Sequence, residues 1–307
     1  MRLSPNYVPE FPSNKMKSGF VSIIGRPNSG KSTLLNRLIG EKISIVTDKP
    51  QTTRHLVKGI LTTPEGQIVF VDTPGVHKPI YRMNERMMKF VREAINDADL
   101  VVLIVDASVP FGRGDEFTLE LLKSAKAKTF LLLNKIDLIP KKNLLPSMER
   151  YSKAADFDEV IPISALTGEN VEEFLSEVFE YLPEGPMFYP ADQLSDQHER
   201  SIAAEMIREK VILLTEEELP YSTAVIIDLF EEEQKLNRIY ASIYVERESQ
   251  KGIVIGKRGN KLKEIGTAAR KDLESFFNRK IFLELHVKVK KHWRDDEEAL
   301  QTLGLGE

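Results

Sequence analysis

Residues Gly25-Arg26-Pro27-Asn28-Ser29-Gly30-Lys31-Ser32 constrain the fold more than any other stretch of this 307-residue chain. They fit GxxxxGK[ST], follow the apolar run 20–24 and open a helical pattern at 33–39, so a strand must end and a helix begin within the motif. Its glycines let main-chain N–H groups turn inward, and the helix N-terminus adds partial positive charge; together they cradle an oligophosphate. Lys31 would reach the β- and γ-phosphates and the Ser32 hydroxyl would ligate Mg²⁺. Gly25, Arg26, Pro27, Asn28, Ser29, Gly30 and Thr33 complete the phosphate-binding set.

Beyond this motif, short β-branched runs alternate with amphipathic stretches of helical length as far as Leu182, the pattern of βα units on a parallel sheet. Strands are expected at 20–24, 57–61, 68–71, 100–105, 129–133 and 160–163. The reading is an α/β fold with a doubly wound, mostly parallel sheet. Pro183, Gly185, Pro186 and Pro190 then break helix continuity. The chain is too long for one ordinary domain of roughly 100 to 200 residues. It divides into a tail at 1–18, a first domain at 19–182, a linker at 183–195, a smaller α+β domain at 196–294 and a second tail at 295–307. There is no cysteine, which excludes disulfides and thiolate metal sites, and the five histidines lack ligand spacing. No apolar run reaches the roughly 18 residues of a membrane span, and the polar start lacks the apolar core of a signal peptide. A cytoplasmic monomer without transmembrane segments is expected.

Three further motifs fall at the ends of expected strands. Asp72-Thr73-Pro74-Gly75 follows the third, where Asp72 can hold Mg²⁺ through water and the Gly75 N–H can approach a γ-phosphate. Asn134-Lys135-Ile136-Asp137 follows the fifth and Ser164-Ala165 the sixth. The Asp137 carboxylate can accept from N1–H and N2–H₂ of guanine together, whereas adenine would leave it unpaired, so GTP and GDP are expected in preference to ATP. Asn134 would tie the two segments together, the Lys135 stem would cover the base, and the Ala165 N–H would meet O6. The polar segment 45–54 lies before the second strand and looks like a first switch, with Thr53 as a Mg²⁺ ligand.

These ordered motifs resemble those of the translation-factor-like GTPases over roughly 19–182. Relatives of the Ras type carry a glutamine after DxxG that orients the attacking water; here Val76 stands there. Catalysis would then rest on charge neutralisation and positioning, by Lys31, Thr53, Gly75 and Mg²⁺. Relatives with asparagine at the position of Asn28 are activated by potassium, which the resemblance implies here, with Asn28 and carbonyls of the switch as ligands. One departure is Ser29, where many relatives carry a small apolar residue.

Charge is segregated in the second domain. Residues 216–248 hold nine acidic and three basic side chains, and residues 251–294 hold thirteen basic and four acidic. The expected order is helix, strand, strand, helix, helix, strand, with Ile281, Leu283, Leu285, Val287 and Val289 alternating along the last strand. Gly256-Lys257-Arg258-Gly259 joins an apolar run to a basic helix, and in this order of elements it resembles the GxxG loop of a type II KH domain. Lys257, Arg258, Lys261 and Lys263 would attract phosphates, while Gly252, Ile253 and Ile255 would form the loop edge and part of an apolar platform for bases. His198, His286 and His292 read as surface or packing residues. Lys291, His292, Trp293 and Arg294 form a further candidate RNA contact.

A P-loop GTPase followed by this domain resembles the Era family of bacterial ribosome-assembly GTPases, supported by Glu205-Met206-Ile207-Arg208-Glu209-Lys210 and Glu218-Leu219-Pro220-Tyr221-Ser222. The resemblance implies binding to the 3′ end of 16S ribosomal RNA, maturation of the small ribosomal subunit, and peripheral association with the inner face of the cell membrane in some members. Val76 leaves a second reading open, a nucleotide-gated RNA-binding scaffold with negligible hydrolysis. A role in tRNA modification or large-subunit assembly is disfavoured by the KH-like domain.

Overall fold

The computed structural model describes residues 16–215 and 219–305. The first domain comprises β1 (Lys17–Ile24), α1 (Lys31–Ile39), β2 (Val57–Thr63), β3 (Gly66–Asp72), α2 (Arg82–Asn96), β4 (Leu100–Asp106), α3 (Arg113–Leu122), β5 (Lys128–Asn134), α4 (Leu144–Ala154), β6 (Glu159–Pro162) and α5 (Val171–Tyr181). One sheet orders these strands β2-β3-β1-β4-β5-β6, with β2 antiparallel to β3 and the rest parallel. Only Pro64 and Glu65 join β2 to β3, too short for anything but a hairpin. α1 and α5 pack one face of the sheet, α2 and α3 the other. Burial on both faces explains why β3, β4 and β5 read as continuous apolar runs. Strand order reverses at β1, which opens a crevice at its carboxyl end, where the glycine-rich motif begins.

The second domain comprises α6 (Glu199–Leu214), α7 (Leu219–Ser222), β7 (Ala224–Glu232), β8 (Leu236–Val245), α8 (Glu248–Ile255), α9 (Asn260–Phe277) and β9 (Lys280–Val289), followed by α10 (Glu297–Leu300) and a π-type turn, Gln301–Leu305. β8 is the central strand, antiparallel to β7 and parallel to β9. α6 and α9 cover one face of this sheet, burying Met206, Ile207, Val211, Ile239, Ile243, Ile265 and Leu273. The alternation of β9 has its expected effect: Ile281, Leu283, Leu285, Val287 and Val289 meet that core, while Phe282, His286 and Lys288 are exposed.

Three expectations are corrected by packing. Gly252, Ile253 and Ile255 are not a loop edge but the last turns of α8, capped by the Gln250 side chain, which accepts from the N–H groups of Glu246 (2.9 Å) and Arg247 (3.1 Å). Val254 is wholly buried there and Ile253 is exposed. The segment 295–307 is not a tail as far as Leu305. The Asp296 side chain caps α10 at Ala299 N–H (2.8 Å), and Ala299, Leu300, Leu303 and Leu305 are buried in one cluster with Met83 and Met87 of α2. Four apolar residues cannot make a core of their own, but they complete one already present. The segment expected as a linker, 183–195, runs along the first sheet, where the side-chain Oε1 of Gln67 accepts from Phe188 N–H (2.8 Å) and Tyr189 N–H (2.9 Å). Lys17 and Ser18, expected in the first tail, belong to β1, and residues 1–15 lie outside the described residues.

Candidate functional site

The loop after β1 leaves no room for side chains at two of its positions. A Cβ at Gly25 would stand 2.3 Å from the Ile104 carbonyl oxygen, and one at Gly30, whose φ is +102°, would stand 2.1 Å from Asn134 Nδ2. α1 therefore starts at Lys31 with its free N–H groups facing the loop. Lys31 Nζ donates to the carbonyls of Gly25 (3.2 Å) and Arg26 (3.0 Å). Burial lowers its ammonium from the usual lysine value to about 8, with Asp72 opposing. A bound polyphosphate would offset that loss of solvation.

Beside Lys31, three side chains from distant segments meet. Ser32 Oγ donates to Asp72 Oδ2 (2.6 Å) and lies 3.1 Å from Thr53 Oγ1, and Ser44 Oγ also donates to Asp72 Oδ2 (3.0 Å). Asp72 is wholly buried; burial raises its carboxyl above the usual range, against Lys31 and the surrounding hydroxyls. Its Oδ1 is buried without a protein partner. Two hydroxyls and a carboxylate with an unused buried oxygen are hard oxygen donors, a set that fits Mg²⁺.

Around this point a cavity of about 380 Å³ is lined by the loop, by segment 45–53 and by Gly75 and Lys135. A Cβ at Gly75 would come within 2.8 Å of Pro27, and Val76 N–H donates to the Gly25 carbonyl (2.9 Å), so the start of the second switch lies directly on the phosphate loop. The Val76 side chain points away into the apolar cluster against α2. Thr73 Oγ1 donates to the Ile23 carbonyl (2.9 Å). Sequence reasoning missed Gln51 and His77: Gln51 Nε2 lies 3.1 Å from His77 Nε2, and His77 Nδ1 lies 2.8 Å from the Gly75 carbonyl. No motif marks either residue, because their meeting depends on how the two switches face each other.

The base-side segments are joined through Asn134, which is 2% exposed. Its Nδ2 donates to the Ser29 carbonyl (2.8 Å) and its Oδ1 accepts from Ala165 N–H (2.8 Å). The Ala165 N–H is thus engaged by Asn134 rather than free for O6, a correction that follows from the tie itself. Lys135 pairs with Asp106 (2.5 Å), Asp137 is exposed in the turn after β5, and Ser164 Oγ accepts from Thr167 N–H (3.1 Å). Arg26 turns from the phosphate loop to Asp115 of α3 (2.9 Å), and Asn28 Nδ2 donates to the Asp48 carbonyl (2.6 Å).

On the second domain, Gly256 (φ +71°), Arg258 (φ +55°) and Gly259 (φ +78°) make the tight turn between α8 and α9. A side chain at Gly256 would strike Lys261, whereas nothing lies within 4 Å of a Cβ at Gly259 or Gly252, so the loop backbone is open to a ligand there. Lys257, Arg258 and Lys263 are exposed, and Lys261 pairs with Glu264 (2.8 Å). Lys291 and His292 are exposed. Trp293 and Arg294 are not available to RNA as expected. Trp293 is wholly buried, donating from Nε1 to the Ser222 carbonyl (3.0 Å), and Arg294 pairs with Glu246 (2.5 Å) beneath the ring of Tyr81, 4.0 Å away. Both sit where the two domains meet.

The family of 50S ribosome-binding GTPases matches residues 20–135, and the KH domain family matches residues 218–294. Among solved structures, a single-substitution variant of Aquifex aeolicus Era bound to GDP·AlF₄⁻ is 39% identical, with a TM-score of 0.91 over 95% of this chain and 100% of that one. Era in complex with MgGDPNP and nucleotides 1506–1542 of 16S ribosomal RNA is 40% identical, with a TM-score of 0.92 over the same shares.

Proposed function

The chain belongs to the Era family of GTPases, and from that membership we propose that it is a GTP-hydrolysing switch that binds 16S ribosomal RNA near its 3′ end during assembly of the small ribosomal subunit. The observation that carries the reading is the convergence of Ser32, Thr53 and Asp72 beside Lys31, with Asn134 joining the phosphate loop to the base loop. Lys31 and the main-chain N–H groups at the start of α1 bind the β- and γ-phosphates. Ser32 and Thr53, with Asp72 behind them, would hold Mg²⁺, which when bound would neutralise charge developing on the phosphoryl oxygens. Gly75 brings an N–H to the γ-phosphate, and Asp137 selects guanine. Val76 faces the core, so the attacking water is placed by main chain and by polar groups of the two switches.

Potassium stimulation is part of the proposal. Asn28 Nδ2 donates to the Asp48 carbonyl (2.6 Å), which sets this side chain beside the first switch; a monovalent cation would replace that hydrogen bond, taking the Asp48 carbonyl and, with the amide turned over, Asn28 Oδ1 as ligands. The RNA-binding part of the reading rests on the open backbone at Gly259 between Lys257, Arg258 and Lys263. Among the described residues no helix is long and apolar enough to cross a membrane.

Steady-state GTP turnover in K⁺ or Na⁺, with and without Mg²⁺ and with an oligonucleotide of the 16S 3′ end, tests the whole reading. Expected are loss of turnover without Mg²⁺, slower turnover in Na⁺, blunting of that difference by Asn28→Ala, and saturable binding of the oligonucleotide. No hydrolysis under any of these conditions would leave only a nucleotide-gated scaffold.

A further inference from the structure

The stretch Glu205-Met206-Ile207-Arg208-Glu209-Lys210 lies in α6 and lines neither the phosphate cavity nor the RNA loop. Its polar members instead hold segment 45–54 of the other domain. Arg208 is 2% exposed, its Nη2 donates to the Thr52 carbonyl, and Glu205 fixes the guanidinium through Nε (2.8 Å) and Nη2 (2.5 Å). Glu209, also 2% exposed, accepts from Val46 N–H through Oε1 (3.2 Å), while Lys42 (2.6 Å) and Lys210 (3.0 Å) neutralise Oε2. Arg54 reaches the opposite way, donating to the carbonyls of Tyr221 (3.1 Å) and Thr223 (2.6 Å) with its guanidinium 5.6 Å from the centre of the Trp293 ring. Between these holds lies Thr53, its Oγ1 3.1 Å from Ser32 Oγ.

We propose that Arg208 and Glu209, with Arg54 as their counterpart, are positioning residues for GTP hydrolysis, holding segment 45–54 in the path that presents Thr53 to Mg²⁺. The segment has no helix or strand of its own, so its path must be imposed. Arg208 and Glu209 grip it by a main-chain carbonyl and a main-chain N–H, which specify where the chain runs rather than which side chains it bears. Both are charged groups in buried surroundings, where hydrogen bonds are strong and costly to leave unmade. Because α6 belongs to the RNA-binding domain, anything that shifts α6 alters the nucleotide site, and by linkage the state of segment 45–54 biases the arrangement of the domains. The inference rests on Thr53 being the metal ligand proposed above.

Single-turnover hydrolysis of GTP, with mant-GDP affinity measured on each protein, tests it in Arg208→Gln, Glu209→Ala, Arg208→Lys, Thr53→Ala and the double variant Thr53→Ala/Arg208→Gln. Arg208→Gln and Glu209→Ala should each slow hydrolysis about tenfold or more and raise the Mg²⁺ concentration giving half-maximal rate, with GDP affinity within about twofold of wild type. Arg208→Lys should recover part of the rate, since it keeps a donor for the Thr52 carbonyl. In the Thr53→Ala background Arg208→Gln should cost less than about twofold more, because it acts through the residue already removed. Wild-type rates for both Arg208→Gln and Glu209→Ala beside a slow Thr53→Ala would overturn the positioning role alone, as would full additivity in the double variant. A wild-type rate for Thr53→Ala would overturn the metal-ligand reading itself. Should Arg208→Gln lose GDP affinity, Glu209→Ala carries the same comparison.

Discussion

Lys31 is 6% exposed among main-chain carbonyls, and burial holds its ammonium down to about 8. A nucleotide's phosphates favour the charged form and raise it again, so binding takes up a proton above about pH 8. GDP affinity should therefore be flat below that pH and weaken by up to about tenfold per unit above it, a slope that Lys31→Met should abolish along with most of the affinity. Fluorescence titration with mant-GDP between pH 7 and 10 reads this directly. The same depressed value means that the folded protein, measured without added nucleotide, binds fewer protons than the unfolded chain between about pH 8 and the ordinary lysine value, so this group's contribution to stability rises with pH across that window. Asp137 has the other strong residue-level consequence. Asp137→Asn should transfer preference from guanosine to xanthosine nucleotides, because the amide can donate to the 2-oxo group of xanthine. Competition binding checks it, and unchanged GTP affinity would remove the account of base selection. Val76 teaches a different lesson: its identity shows that no catalytic glutamine stands there, but only its burial against α2 shows that the side chain serves packing.

At the scale of elements, the turn between α8 and α9 separates cleanly from the packing around it. Gly259 has a φ of +78° and open space about its Cβ position, so Gly259→Asp costs only the backbone strain of a left-handed residue, about 1 kcal/mol, and the domain should stay folded. RNA affinity should nevertheless fall steeply through bulk and repulsion while GTP affinity stays unchanged, which filter binding beside nucleotide titration will show. A variant that is folded and binds RNA as wild type does would reduce the loop to a turn. The preceding apolar run shows why its helix was harder to read. Gly252 interrupts it, and its hydrophobic residues are consecutive rather than spaced, yet Val254 finds a buried place and Gln250 caps the helix. α10 shows the same dependence, since its burial is supplied by α2 of the other domain.

For the whole molecule, positive charge gathered after residue 251 makes electrostatics the sequence-independent part of RNA affinity. Removing two exposed cations together, Lys257→Ala with Arg258→Ala, should lower the slope of log affinity against log salt by about 1.4 for a single-stranded target and leave GTP affinity untouched. An unchanged slope across a salt series would place the phosphate contacts elsewhere. The sequence alone determined the mostly parallel sheet, the phosphate loop and, α8 apart, the succession of strands and long helices in the second domain, and it marked Ser32, Thr53 and Asp72, which the structure brings together. Each of these is written locally, in glycine placement, in hydrophobic period and in residues at strand ends. Only the tertiary structure decided that Trp293 is buried and Arg294 paired with Glu246 between the domains, that Ala165 N–H goes to Asn134, and that Arg208 and Glu209 reach Thr52 and Val46. Those pairings join groups far apart along the chain, and no local pattern encodes a contact whose partner is brought in by the packing of another domain.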